Sequence, residues 1–354
     1  MAYMEFGPAA RARRRRGYVL SAIIVFALAV LPIVLVEVQG RRANSTLALL
    51  ISMITAAGLG TAWNILGGYA GQLSLGHVAF YGLGAYASGL LIEKLGVTSW
   101  LGLLVGPLIG GLVALGIGWI TFRLRGPYFT LSTIAIAEII FLLSKTLEPI
   151  TGGSSGLSWD LNQSRFWPRD PQWLFGPTPG RVPYYWIALA ITVIAVIISW
   201  KIAHNKLGFY LRAIREDQDT AATIGINNTR MKLTALVISA MLVALIGAFR
   251  ANFEGAIAPD TVLVRSKSLE IVLFAIIGGM GTVWGPVIGG VLLTLVGEAL
   301  RGIGEANQLV YGVLLVLVIF FLPGGLLGGA KTLLARLTTR RANQTNQPAA
   351  LREA

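Results

Sequence analysis

The sequence predicts an all-α polytopic membrane protein of about ten transmembrane helices, some of them interrupted by glycine. Three observations predict it: composition, the lengths of the apolar stretches and the one-sided placement of charge. Hydrophobic residues make up 55% of the 354 positions and charged residues only 13%. Mean hydropathy is +0.70, outside the range of soluble domains. A helix needs about 20 mostly apolar residues to cross about 30 Å of hydrocarbon.

Taken in order, the stretches that meet or approach this length are Tyr18–Val36, Ser45–Leu66, Val78–Ile92, Trp100–Phe122, Phe129–Leu147, Tyr184–Ile202, Leu233–Phe249, Trp284–Leu300 and Leu309–Leu327. A further segment, Leu269–Met280, is apolar but short. The 43 glycines suit helices whose backbones approach closely in lipid. Arg11 and Arg13–Arg16 precede the first stretch as a signal sequence would begin. The stretch is long, however, and no convincing cleavage site follows, so an uncleaved first helix is expected.

Charge sets the expected orientation. With the N-terminus in the cytoplasm and ten alternating spans, the cytoplasmic segments hold 18 of the 29 lysines and arginines and five of the 16 acids. The formal surplus of +13 therefore falls wholly on that side. Such a balance points to membrane topology and anionic lipid, not to nucleic acid. On this reading residues 1–17 form a basic cytoplasmic N-terminus and 18–328 the transmembrane domain. That domain includes an external loop at 149–183 and a cytoplasmic loop at 203–232, and 329–354 form a cytoplasmic polar tail.

Two regions depart from plain spans. Residues 66–79 read LGGYAGQLSLGHVA, and 277–290 read IGGMGTVWGPVIGG. Backbone freed from helical bonding at membrane depth must be buried in protein or line a wet cavity, and paired Gly/Pro-interrupted segments point to a translocation path. Asn64, Gln72, Ser74 and His77 are the polar groups here, suited either to that path or to hydrogen bonds between helices. Glu138, near the middle of its span, is a candidate for the same path or a buried structural acid. A short echo, Gly60–Trp63 against Gly281–Trp284, hints at an internal repeat.

The loops carry the remaining signals. Residues 203–232 are charged and helix-compatible. A short helix is expected from about Arg215 to Ile224, with Glu216, Asp217 and Asp219 in its first turn and Gly225 as its stop. Ala221, Ala222 and Ile224 are small or apolar enough to enter a groove on a soluble partner. In the external loop, Trp159, Trp167 and Trp173 alternate with prolines, suiting either a docking surface or anchors at headgroup level. The chain has no cysteine and only two histidines, so no metal centre is expected. It has no G-x-x-x-x-G-K-[ST] phosphate loop and no plausible catalytic set, so ATP-powered work would need a motor on another chain.

Five stretches in order resemble one family: GGYAGQLSLGHVAFYGLGAYAS (67–88), RLRGPYFTLSTIAIAEI (123–139), TGGSSGLS (151–158), 207–248 and GGMGTVWGPVIGGVLL (278–293). They look like a branched-chain amino-acid ABC importer permease, most like its M-type subunit, over about residues 45–328. The resemblance implies a non-enzymatic permease in the bacterial cytoplasmic membrane, with both termini cytoplasmic. Its implied partners are a sister H-type permease, two cytoplasmic ATPases that carry the ATP and magnesium, and an extracytoplasmic solute-binding protein. The family's ATPase-contacting loop matches 215–225, which gives Arg215, Glu216, Asp217, Asp219, Ala221, Ala222 and Gly225 a coupling role. Urea and short-amide importers share nearly all these motifs, leaving them as alternative substrates. An ion-coupled secondary transporter working through Glu138 is the reading from another class.

Overall fold

The structure, a computed structural model, describes residues 8–159 and 181–300, with 312–313, 325–326 and 328 beyond them. The helices are α1 (Pro8–Gln39), α2 (Ala43–Asn64), α3 (His77–Leu95), α4 (Ser99–Thr121), α5 (Pro127–Thr146), α6 (Val182–His204), α7 (Lys206–Glu216), α8 (Gln218–Thr223), α9 (Asn228–Glu254), α10 (Arg265–Gly279) and α11 (Gly285–Leu300). Two-residue strands β1 (Leu157–Ser158) and β2 (Ala256–Ile257) pair antiparallel, tying the start of the 149–183 loop to the far end of α9.

α2 and α9 form the centre. α9 packs against α3 and α4, while α2 packs against α6 and α11. Their sequences explain the placement. Ala235, Ser239, Ala240, Ala244, Gly247, Ala248 and Ala251 give α9 small side chains at helical spacing, all of them buried. Gly84 of α3 lies on the backbone of Ala244, and Gly247 of α9 lies on the backbone of Tyr81. The two helices thus notch into each other reciprocally, a contact that small residues permit in lipid. Local signals set the ends. Pro127 opens α5, the Asn227 side chain accepts from Arg230 N–H at 3.0 Å to cap α9, and Gly255 closes α9 with φ +70°.

Five helices among the described residues are long and apolar enough to cross a membrane: Ala43–Tyr69, α4, α5, α6 and α9. Ile23–Gln39 and α11 are shorter apolar helices. The expected ten are therefore not reached in this part of the chain. The stretch Leu269–Met280 falls on α10, whose 15 residues extend about 22 Å at 1.5 Å each, short of a full crossing. The expected span Leu309–Leu327 lies almost wholly outside the described residues, as do Trp167, Trp173 and the polar tail.

The 203–232 loop also differs from expectation. Instead of one helix from Arg215, the chain forms α7 and α8 with a break at Asp217, which is extended at φ −156°, ψ 120°. Arg215 and Glu216 end α7, so only Asp219 sits in the first turn of α8. The break arises because the Asp217 side chain accepts from Thr220 N–H at 2.5 Å, starting a new helix instead of continuing the old one.

The notch between α3 and α9 yields a test. Gly84→Val forces a side chain into the Ala244 backbone and should destabilise by about 1–3 kcal/mol, lowering the melting temperature in detergent. Gly116→Ala, where a methyl group meets open space, should leave it unchanged.

Candidate functional site

The helix that begins with α2 does not end cleanly. It passes through a π turn at Ile65–Tyr69 into seven non-helical residues before α3. Freed backbone groups in this connection find partners on three other elements. Thr130 Oγ1 donates to Leu73 O at 2.8 Å, Trp63 Nε1 donates to Ser74 O at 2.8 Å, and Leu75 N–H donates to Thr133 Oγ1 at 3.1 Å. Ser268 Oγ of α10 donates to Leu75 O. His77 locks the end of the segment: Nδ1 pairs with Ser74 Oγ at 3.0 Å and Nε2 with Ser239 Oγ of α9 at 2.9 Å. Because Ser239 itself donates to Ala62 O at 2.7 Å, it accepts from His77 Nε2–H, which assigns the neutral Nε2–H tautomer.

The second glycine-rich region meets the first. Asn64 Nδ2 donates to Thr282 O at 2.8 Å, and Gly281 N–H donates to Asn64 Oδ1 at 2.8 Å. One fully buried amide therefore clamps the turn between α10 and α11, where Gly281 takes φ +80°. From α7, Arg215 Nη1 donates to Gly68 O at 2.8 Å. Arg215, the π turn, Asn64 and the 280–284 turn form a continuous hydrogen-bonded path.

Around it, α7 and α8 are tethered to the bundle. Arg125 pairs with Asp219 at 3.0 Å, both side chains being largely exposed. Lys232 Nζ donates to Gln218 Oε1 at 3.2 Å. Ala221 is buried, whereas Ala222 and Ile224 are exposed. Gly225 takes φ +88°, the left-handed stop expected of it. Asp217 holds its carboxyl below the ordinary value, because Thr220 N–H donates to the ionised form.

A cavity of about 850 Å³ opens at the opposite end of the bundle, walled by α2, the far half of α9, α10 and α11. Leu49, Leu59, Ile246, Phe253, Phe274 and Leu293 supply an apolar lining. Arg250, Lys267, Glu270 and Glu298 place both signs of charge in the same space. Arg250 Nε donates to Glu254 at 2.6 Å and Nη1 to Ser52 Oγ at 3.2 Å, while Lys267 pairs with Glu270 at 2.8 Å.

Comparison with known proteins identifies this architecture. A family model described as a branched-chain amino acid transport system permease component matches residues 44–322. The chain belongs to that permease family. It is 30% identical over 285 residues to the high-affinity branched-chain amino acid transport system permease protein LivM of Salmonella typhimurium, covering 76% of this chain and 67% of that one. The LivM protein of Escherichia coli matches equally. The E. coli permease LivH is 28% identical over 295 residues, 77% of this chain and 91% of its own. No solved structure matches.

The permease distributes its sequence-predicted residues unevenly. Asn64, Gln72, Ser74 and His77 are buried and hydrogen-bonded within the chain, and none lines the cavity. Glu138 is not a lone acid but pairs with Arg265 Nε at 2.8 Å. Trp159, expected as an outward anchor, is only 8% exposed. Its indole lies over Gly89 and its backbone N–H donates to Gly255 O at 3.1 Å, so the loop's own anchorage turns it inward. The cavity's Arg250, Lys267 and Glu270 escaped notice because each sits beside a span end, where charge reads as ordinary flanking sequence.

The Asp217 cap is testable by pH and by substitution. A depressed pKa means that the cap holds above the ordinary carboxylate range and is lost as pH falls through the lowered value, so it is intact at neutral pH. Asp217→Ala should speed hydrogen exchange of the Thr220 amide at least several-fold at pH 7, and Asp217→Ser should largely restore protection.

Proposed function

We propose that this chain is the M-type permease subunit of an ATP-driven importer and carries branched-chain amino acids across the bacterial cytoplasmic membrane. The observation that carries the substrate is the cavity. An α-amino acid with a hydrocarbon side chain brings an ammonium, a carboxylate and an apolar body, and the cavity offers carboxylates, cations and an apolar wall for each. Of the three cations in the lining, Arg250 and Lys267 already hold carboxylates and Arg181 donates to the Asn44 carbonyl, so an arriving substrate competes for them and binds weakly, as a conduit requires. Urea or a short amide carries no net charge on any group and has little use for such a lining.

Energy comes from two cytoplasmic ATPases in this reading, with ATP and magnesium on those partners. An extracytoplasmic binding protein delivers the solute, and a sister permease completes the pathway. The exposed Ala222 and Ile224 on α8 suit a groove on the ATPase, with Arg215, Glu216, Asp217, Asp219, Ala221 and Gly225 shaping and holding that short helix. Arg215 passes its displacement to Gly68, from there to Asn64, and so to the turn that joins two cavity-lining helices. Both termini and the 203–232 loop are cytoplasmic, with the cavity facing outward. Glu138, already neutralised by Arg265, is poorly suited to relay protons, which weighs against an ion-coupled secondary transporter.

Uptake by the assembled complex tests this. Lys267→Ala should raise KM for leucine about 10-fold, the size of one charged hydrogen bond at about 1.5 kcal/mol, while ATPase turnover without substrate is unchanged. Leucine uptake that persists without ATPase subunits in the presence of a proton gradient would overturn the reading. So would saturable urea uptake that leucine does not inhibit.

A further inference from the structure

We propose that the outward face of α5, together with the start of α10, is the seam against a second, related permease subunit. The inference rests on the permease reading above and adds the surface by which the two halves meet. α5 is the least enclosed of the five long apolar helices, with 22% of its apolar stretch buried against 67% for α2 and α9. Its exposed stripe runs Tyr128, Leu131, Ala135, Ile139 and Leu142.

Apolar exposure alone fits lipid, and α4 shows what a lipid face looks like. Leu104, Leu108, Leu112, Leu115 and Trp119 form an exposed row with no ionisable group among them. The face of α5 is different. Glu138 stands 11 residues after Pro127, about 16 Å along a helix at 1.5 Å per residue, which is near mid-membrane. Beside it Arg265 is 76% exposed. Its Nε is the one guanidinium nitrogen with a hydrogen-bond partner among the described residues, and the group carries five donors.

An exposed guanidinium at that depth needs acceptors or water, and hydrocarbon provides neither. A protein seam with a wet conduit provides both. A second copy of this chain is a poor occupant. A two-fold axis along the membrane normal brings each residue against others at its own depth, so a second copy offers Arg265 only an apolar stripe and a carboxylate already paired with its own Arg265. A related permease with different side chains at this level can supply the missing acceptors.

The test uses the assembled importer, with a benzophenone amino acid placed at Leu131, Ala135 or Leu142 and, as controls, at Leu108 or Leu112. After irradiation, the α5 positions should form an adduct whose peptides map to the related permease, and the α4 positions should form none. Lipid-only adducts from α5, adducts between two copies of this chain, or permease adducts from α4 would each overturn the proposal. Leucine uptake by the unmodified complex is measured alongside. Normal uptake with any of those adduct patterns removes the seam but keeps the import reading, whereas absent uptake counts against the import reading whatever the adducts.

Discussion

A peptide group released from a helix inside hydrocarbon finds no water, so every break in a membrane helix must be rebonded by the protein itself. That constraint organises this molecule. The chain breaks at 70–76 and again at 280–284, and side chains from α2, α5, α9 and α10 converge on those two places. Thr130, Thr133, Trp63 and Ser268 satisfy the backbone of the first break, while Asn64 satisfies the second. The small residues on α9 follow from the same need. The partners of a broken segment must come close, and the notches at Gly84 and Gly247 let them.

Rebonding also makes the two breaks mechanically continuous. Asn64 ends α2 and grips the turn between α10 and α11, so displacement of the π turn cannot leave that turn in place without stranding a buried amide. Stranding one buried donor or acceptor costs about 1–3 kcal/mol. Arg215 of α7 holds the same π turn. The helices that meet at these contacts, α2, α10 and α11, are three of the four that wall the charged cavity. In the proposed function such a link joins the short helices α7 and α8 to the chamber through ordinary hydrogen bonds.

Much of this was legible in the sequence for physical reasons. The long apolar stretches and glycine breaks follow from hydropathy and backbone chemistry, and both breaks occur at the glycine-rich regions. Gly225 showed its left-handed role because only a residue without Cβ takes that conformation freely. The division of 215–225 into two helices was not legible, since Asp217 reads equally as a first-turn acid and as a cap until its side chain is placed. Glu138 stood out as a single intramembrane acid, but its partner lies 127 residues away at a helix start, and no local pattern signals that pairing. Arg250 and Lys267 were hidden in the same way. Their importance comes from facing one chamber, a fact of packing between helices far apart in sequence.

The central claim is that Arg215 and Asn64 act in series, through one path, to move the cavity-lining helices. A double-mutant cycle on leucine uptake by the assembled importer measures this directly, with Arg215→Gln, Asn64→Ala and the pair together, each corrected for the amount of complex in the membrane. The account predicts strong non-additivity: once either contact is cut, cutting the other lowers uptake little further. Fold losses that simply multiply would show two independent contributions and contradict it.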